Sequence, residues 1–132
     1  MIIVIDSNVL FSAFLAKGIC SEILEIVLSK HELVLSENIL SEIENNLINK
    51  INLPKDIVKE YINLLKLRSE IVLPAPIAAE VCRDKNDLVI IGAAVKGKAE
   101  IIITGDKDLL VIKKYKDILI ISPKESLGLI NQ

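Results

Sequence analysis

Short apolar runs alternate along the chain with longer stretches in which apolar residues recur at helical spacing. The first run, residues 2–5, is a continuous β-branched stretch, which is typical of a strand buried on both faces. Similar short runs predict further strands at residues 33–35, 71–73, 101–103 and 118–121. The pattern therefore predicts five short strands that are separated by other elements.

The stretches between these runs predict helices. Ser36 is suited to cap a helix that carries apolar residues from Ile39 to Ile51, and Pro54 is suited to the first turn of the next helix. Other helices are predicted at residues 9–15, 21–29, 86–95 and 108–114, with one or two turns after Pro123. Because buried strands separated by helices pair in parallel, we expect an α/β protein. The expected architecture is a three-layer α/β/α sandwich with a central, mostly parallel sheet of about five strands.

Composition narrows the class of protein. Hydrophobic residues make up 52% of the chain and charged residues 26%, which is enough for a substantial core. A formal net charge of −2 argues against nucleic-acid binding through bulk positive charge. With 3% aromatic residues and no Trp, a base-stacking platform is not expected either. No linker, repeat or low-complexity segment is visible, so residues 1–132 are expected to form a single domain.

The apolar runs and cysteines indicate a cytoplasmic protein. No run approaches the ~20 apolar residues of a membrane span, and the apolar start is too short for a signal peptide. Cys20 and Cys82 form no CxxC pair, so we expect reduced thiols and no zinc site. The single His31 follows a lysine near a predicted helix end and is interpreted as a surface or capping residue.

Acidic residues follow two of the predicted strands. Asp6 comes directly after the first strand, and Asp106 follows the strand at residues 101–103 within a Thr-Gly-Asp sequence. In an open parallel sheet, ligands bind beyond the carboxyl ends of the strands. Each acid alone, Asp108 included, is explained equally well as a helix cap. Two acids at the same edge of the sheet favour a shared site.

Two further acids are predicted near that edge. Asp87 lies in the first turn of a helix whose next eight residues carry no charge, so that helix must be buried nearly all round. Asp84 is a candidate cap for this helix and competes with Asp87 for the functional role. Glu42 borders the core face of its helix, about 60° to one side of Ile39. Its simpler interpretation is an exposed helix glutamate.

Four segments carry a resemblance to a known family. They are VIDSNVLFSAFL at residues 4–15, SENILSEI at 36–43, CRDKNDLVIIGAA at 82–94 and IIITGDKDLL at 101–110. In this order and at these spacings the chain resembles the PIN-domain ribonucleases over nearly its whole length. It is most similar to the VapC-like branch, whose members are toxin components of toxin–antitoxin pairs.

The resemblance implies a set of site residues. The family's acidic quartet, which holds the metal and performs catalysis, falls on Asp6, Glu42, Asp87 and Asp106. Its supporting polar residues fall on Asn8 and Thr104, and less firmly on Ser7, Asp108 and Asp84. The chain departs from the family in its third motif, where Asn86 and Leu88 replace acids. This thinner acidic run predicts weaker metal binding than in relatives.

The chemistry follows from carboxylates that share one cleft. Such groups repel each other, and a divalent cation relieves the repulsion. All-oxygen ligands select a hard ion, so Mg²⁺ or Mn²⁺ is expected. We expect direct ligation by Asp6 and by Asp87 or Asp106, with Glu42 acting through a water molecule and Asn8 and Thr104 positioning the ligands. The implied activity is metal-dependent endoribonuclease cleavage of RNA.

Lysines near the acids are candidates for contacts with RNA phosphates. They precede or follow the last acidic motif: Lys96, Lys98, Lys107, Lys113, Lys114 and Lys116. An ordinary solvated lysine surface explains them as well. The resemblance also implies a homodimer or higher oligomer and a cognate antitoxin as partner.

One alternative class of function stays open, and a second is disfavoured. A weak or inactive PIN-fold module would act by protein–protein association, through apolar helices at residues 39–51 and 57–67 that core packing explains equally well. A phosphatase of the haloacid-dehalogenase type is disfavoured, since it needs a second Asp where Asn8 stands. The chain contains neither a GxGxxG nor a P-loop motif, either of which would indicate a nucleotide cofactor.

Overall fold

The computed structural model describes all 132 residues. The chain forms six strands and seven α-helices. The strands are β1 (Ile2–Ile5), β2 (Glu32–Leu35), β3 (Ser69–Ile71), β4 (Ile101–Ile103), β5 (Lys114–Tyr115) and β6 (Ile118–Ile121). The helices are α1 (Ser7–Leu15), α2 (Ile19–Lys30), α3 (Glu37–Asn49), α4 (Lys55–Leu67), α5 (Lys85–Lys96), α6 (Lys107–Leu110) and α7 (Pro123–Ile130). None of these helices has the length and apolar content needed to cross a bilayer.

The six strands form one sheet in the order β3-β2-β1-β4-β6-β5. All neighbouring pairs are parallel except β5 with β6. The chain moves outward from β1 to β2 and β3, then returns across the sheet to β4 on the other side of β1. The strand order therefore reverses between β1 and β4, and α/β sheets bind ligands beyond the carboxyl ends of the strands at such a point.

Helices cover both faces of the sheet. Helix α5 packs against β1, β2 and β4, whereas α1, α2, α3, α4 and α7 contact one another in a separate layer. Right-handed crossovers explain this arrangement, because connections that run in opposite directions along a sheet place their helices on opposite faces. The three-layer α/β/α sandwich with a mostly parallel sheet is confirmed. Its core is one cluster of 31 buried hydrophobic residues.

Three details differ from the sequence prediction. The sheet has six strands rather than about five, because the segment predicted as a helix at 108–114 ends at Leu110 and continues into β5. Strand β5 joins β6 through a two-residue turn at Lys116-Asp117, with Lys116 at φ 52°. Tight hairpins need a positive φ at this position. Strand β3 lies at residues 69–71, two positions before its predicted start, because its register pairs Leu35 with Ile71.

Candidate metal centre

Asp6 lies where β1 ends and α1 begins. Its backbone N–H donates to the carbonyl of Ile103 at 2.9 Å, which extends the pairing of β1 with β4 by one residue. Its carboxylate is buried, with 5% of the residue exposed, and accepts three hydrogen bonds. Oδ1 accepts from the backbone N–H of Ser7 at 2.7 Å and from its hydroxyl at 3.3 Å. Oδ2 accepts from the hydroxyl of Thr104 at 2.7 Å.

Thr104 links the ends of the two central strands. It follows β4 directly and is fully buried. Its hydroxyl donates to Asp6 and accepts from the backbone N–H of Asp106 at 3.0 Å. Asp106 in turn accepts from the backbone N–H of Asp108 at 2.9 Å and caps α6. One hydroxyl therefore fixes both the carboxylate after β1 and the loop that carries the carboxylate after β4.

Asp87 enters from the opposite layer, in the first turn of α5. Asp84 caps this helix by accepting from the backbone N–H of Asn86 at 2.9 Å, which confirms its predicted capping role. Asp87 is 4% exposed. Its Oδ2 accepts from the thiol of Cys82 at 3.6 Å, a contact that sequence reasoning missed because nothing in the motif marks this cysteine as polar.

A cleft of about 210 Å³ brings most of the predicted site residues together. It is lined by Asp6, Asn8, Glu42, Asp84, Asn86, Asp87, Ile90 and Asp106. All four acids of the predicted quartet are in this group, together with Asn8 and Asp84. Ser7 and Thr104 lie behind Asp6 and do not line the cleft. Asn86, one of the residues that replace acids in the third motif, lines it.

Asp108 lies beside the cleft and not in its wall. One carboxylate oxygen from each of Asp87, Asp106 and Asp108 lies within 4.8 Å of the others. The same Asp108 forms an ion pair with Arg83, whose Nη2 is 3.2 Å from Oδ1. The side chain of Arg83 is 88% exposed. A cation shared by these three acids would therefore compete with an exposed arginine for Asp108.

Burial and mutual repulsion perturb two of the acids. Burial raises the pKa of Asp87 to about 7, with further contributions from the neighbouring carboxyl groups of Asp106 and Asp84. Burial also raises the pKa of Asp6, with smaller contributions from Glu42 and Asp106, while the hydrogen bonds from Thr104 and Ser7 act in the opposite direction. The charged forms of these acids are thus destabilised unless a cation compensates them.

The donor set of the cleft fits a hard divalent cation. Every polar side chain that lines it offers carboxylate or amide oxygen, and no sulfur or imidazole does. Oxygen ligands favour Mg²⁺ or Mn²⁺ over softer ions. The raised pKa of Asp87 points the same way, because a bound cation would stabilise the ionised form. The functional and capping interpretations of Asp6 and Asp106 also prove compatible, since both residues cap helices and line the cleft.

Three of the six lysines predicted as phosphate contacts lie away from this cleft. Lys96 ends α5, roughly 13 Å along the helix axis from Asp87. Lys98 precedes β4, and Lys116 lies in the turn before β6, so both are at the end of the sheet opposite the acids. The structure therefore places these three lysines away from the acids. Lys107, adjacent in sequence to Asp106, is exposed near the acidic end.

Comparison with known proteins identifies the family. A family model described as PIN domain matches residues 2–108, a range that contains all four acids of the quartet. The chain belongs to the PIN domain family. Members of this family are typically nucleases and generally depend on divalent metal ions.

A solved structure shares the PIN fold. It is the crystal structure of VapBC2 from Rickettsia felis bound to a DNA fragment from their promoter. The match has a TM-score of 0.63 and 16% sequence identity, and it covers 92% of this chain and 98% of that one. At this identity the likeness concerns the fold. A comparison with curated proteins finds no match.

Proposed function

We propose that this PIN domain is a metal-dependent endoribonuclease that hydrolyses RNA phosphodiester bonds, and that it acts as the toxin of a toxin–antitoxin pair in the cytoplasm. The observation that carries the proposal is the convergence of Asp6, Glu42, Asp87 and Asp106 on one cleft at the point where the strand order reverses. Residues 1–132 form a single nuclease domain in this proposal.

Mg²⁺ or Mn²⁺ held in the cleft would activate water for attack and offset charge on the scissile phosphate. Asp6, Asp87 and Asp106 are the ligands in this proposal, and Thr104 and Ser7 hold Asp6 in place through the hydrogen bonds described above. Glu42 and Asn8 are exposed on the rim, where they can orient the attacking water and the phosphate. Ligation requires Asp87 to lose the proton that burial favours.

The partners in this proposal are RNA, a cognate antitoxin and a second copy of the chain. The antitoxin is supported by the structural neighbour, which is a VapBC2 assembly. Self-association is supported by the outer face of α4, where Ile57, Leu64 and Leu67 are exposed. The alternative, an inactive module that acts by association alone, is disfavoured because all four quartet positions keep their carboxylates.

Cleavage of varied RNAs in the presence of Mn²⁺ tests the proposal. Asp6→Asn removes one ligand charge and keeps the shape of the side chain, so we expect the rate to fall beyond the ~100-fold that substitutions behind a metal ligand typically reach. Asp117→Asn is the matched control, because Asp117 lies in the turn between β5 and β6 at the other end of the sheet. If the wild type cleaves none of the RNAs, or Asp6→Asn cleaves as fast as Asp117→Asn, the proposal fails.

A further inference from the structure

A second, larger groove adjoins the acidic cleft. It has a volume of about 510 Å³ and lies between α3 and the first half of α5. Four asparagines line it, Asn38, Asn45, Asn46 and Asn86, and we call it the amide groove. Its walls continue into the acidic cleft, because Glu42, Asn86 and Ile90 line both.

The sequence of α3 explains this continuity. Asn38, Glu42 and Asn45 are spaced four and three residues apart, so they lie on one face of the helix. Each asparagine is therefore one helical turn away from Glu42. This polar stripe runs beside the buried stripe of Ile39 and Ile43. A strand of nucleic acid whose scissile phosphate lies at a cation in the acidic cleft would have its neighbouring nucleoside next to these amides.

The negative charge of the groove determines whether it can bind a phosphate or a neutral group. No lysine or arginine lines it, and its charged residues are Glu37 and Glu42. A phosphate would be repelled there, whereas a neutral group would not. Each asparagine offers two N–H donors and a carbonyl acceptor. Among the apolar lining residues Ile39 and Ile90 are 1% and 4% exposed, so only the half-buried Val89 offers apolar surface. Sugar hydroxyls and the polar edge of a base match this chemistry.

We propose that the amide groove binds the nucleoside next to the scissile phosphate of single-stranded RNA. The inference rests on the proposed ribonuclease function and adds a substrate-binding site to it. Single-stranded RNA is the occupant that fits best, because its unpaired bases expose their hydrogen-bonding edges and its 2′-hydroxyl both donates and accepts. With no aromatic residue in the lining, recognition depends on hydrogen bonds rather than on stacking.

Binding of a fluorescein-labelled single-stranded RNA of mixed sequence tests the inference separately from cleavage. Fluorescence anisotropy is measured with Mn²⁺ in an Asp6→Asn background, which binds without cleaving. Adding Asn38→Ala and Asn45→Ala removes two amides, and we expect the dissociation constant to rise about 10-fold. Both positions are exposed, and alanine favours a helix more than asparagine does, so the fold is retained.

Asn49→Ala in the same background is the matched control, since Asn49 is on α3 and exposed but lies outside the groove. It should leave binding unchanged. A DNA strand of the same sequence should lose less affinity than the RNA on removal of the two amides, because it keeps the base edges but lacks the 2′-hydroxyl. Unchanged RNA binding in the Asn38/Asn45 variant would overturn the inference. An equal loss for RNA and DNA would overturn the assignment to RNA.

Cleavage data separate this inference from the proposed function. Wild type that binds RNA through the amides but cleaves nothing with Mn²⁺ contradicts the nuclease function and supports the groove as a binding site. Wild type that cleaves, with KM and kcat unchanged on removal of the two amides, supports the function and overturns the groove. A wild type that neither binds nor cleaves RNA overturns both.

Discussion

Thr104 shows how one small side chain organises the centre. Its hydroxyl is both the donor to Asp6 and the acceptor for the backbone N–H of Asp106. Asp6 and Asp106 follow adjacent parallel strands, so the position of each depends on the loop after its own strand. Thr104 is fully buried, so its hydroxyl joins these two loops inside the protein. It is thus a positioning residue that acts through both acids.

Replacing Thr104 with Val keeps the shape of the side chain and removes the hydroxyl. We expect Mn²⁺ affinity to fall ~10–100-fold, the range typical of groups that hold metal ligands in place. Stability should also fall by ~1–3 kcal/mol, because the N–H of Asp106 loses its partner. Isothermal titration with Mn²⁺ and urea unfolding measure the two effects. Thr104→Ser keeps the hydroxyl and should retain most of the affinity, and equal losses in both variants would contradict this role.

At the scale of the elements, α5 must approach the chain that leads into it. The backbone N–H of Ala75 donates to the carbonyl of Gly92 at 3.0 Å. A β-carbon at Gly92 would overlap the carbonyl oxygen of Ala75 and crowd the ring of Pro74. Glycine destabilises a helix relative to alanine. The close approach of Ala75 and Pro74 explains why a glycine nevertheless stands at this position. This contact fixes α5 against the segment that precedes it and therefore the position of Asp87.

Gly92→Ala should destabilise the protein by ~1–3 kcal/mol, the usual cost of forcing an extra methyl group into a packed interior. Gly128 in α7 is the matched control, because a β-carbon there meets nothing within 4 Å. Gly128→Ala should instead be neutral or stabilise by up to ~1 kcal/mol through helix propensity. Urea unfolding of both variants measures the contrast. A stabilising Gly92→Ala would show that the approach of Ala75 is not a constraint.

The elements also show what the sequence can predict. Strands β1, β4 and β6 match their predicted bounds, because each is a continuous apolar run that is buried by neighbours on both faces. The apolar pattern predicts β3 too late, since Leu73 looks like a strand residue but is 83% exposed beyond the register with β2. The pattern does not predict strand β5, because its two residues are set by a hairpin turn and carry no apolar signal.

The sequence predicts the acids of the site but not all of their contacts. The four acids could be placed because three stand at or next to the ends of strongly patterned elements, and Glu42 borders an apolar stripe. The contact of the Cys82 thiol with Asp87, five residues away, could not, because no motif marks this cysteine as polar. The ion pair of Arg83 with Asp108 could not either, because it depends on how the segment before α5 packs against α6. Contacts between segments far apart in sequence leave no periodic pattern.

On the scale of the whole molecule, negative charge is concentrated at the cleft. The formal net charge is only −2, but the acids of the cleft gather at the carboxyl ends of the strands, while Lys96, Lys98 and Lys116 lie at the opposite end. A near-neutral chain can thus present a strongly acidic cleft. The stability of the metal-free protein should therefore respond to the protonation of that cleft.

The pH dependence of stability follows from Asp87. Its pKa is about 7 in the folded protein against an ordinary value of 3.8, so between these values the folded state holds a proton that the unfolded state has released. The free energy of unfolding of the metal-free protein should therefore fall as pH rises through this interval. Asp6, whose pKa is also raised, contributes in the same direction. Asp87→Asn has no proton to lose and should show a shallower slope.

Saturating Mn²⁺ should change this dependence. Because the cation binds the ionised carboxylates, its affinity and the stabilisation it gives should increase as pH rises. Urea unfolding at several pH values, with chelator and with Mn²⁺, compares the wild type with Asp87→Asn. Asp117→Asn controls for loss of a surface carboxylate and should follow the wild type. Identical slopes for the wild type and Asp87→Asn in chelator would show that burial does not hold the proton on Asp87.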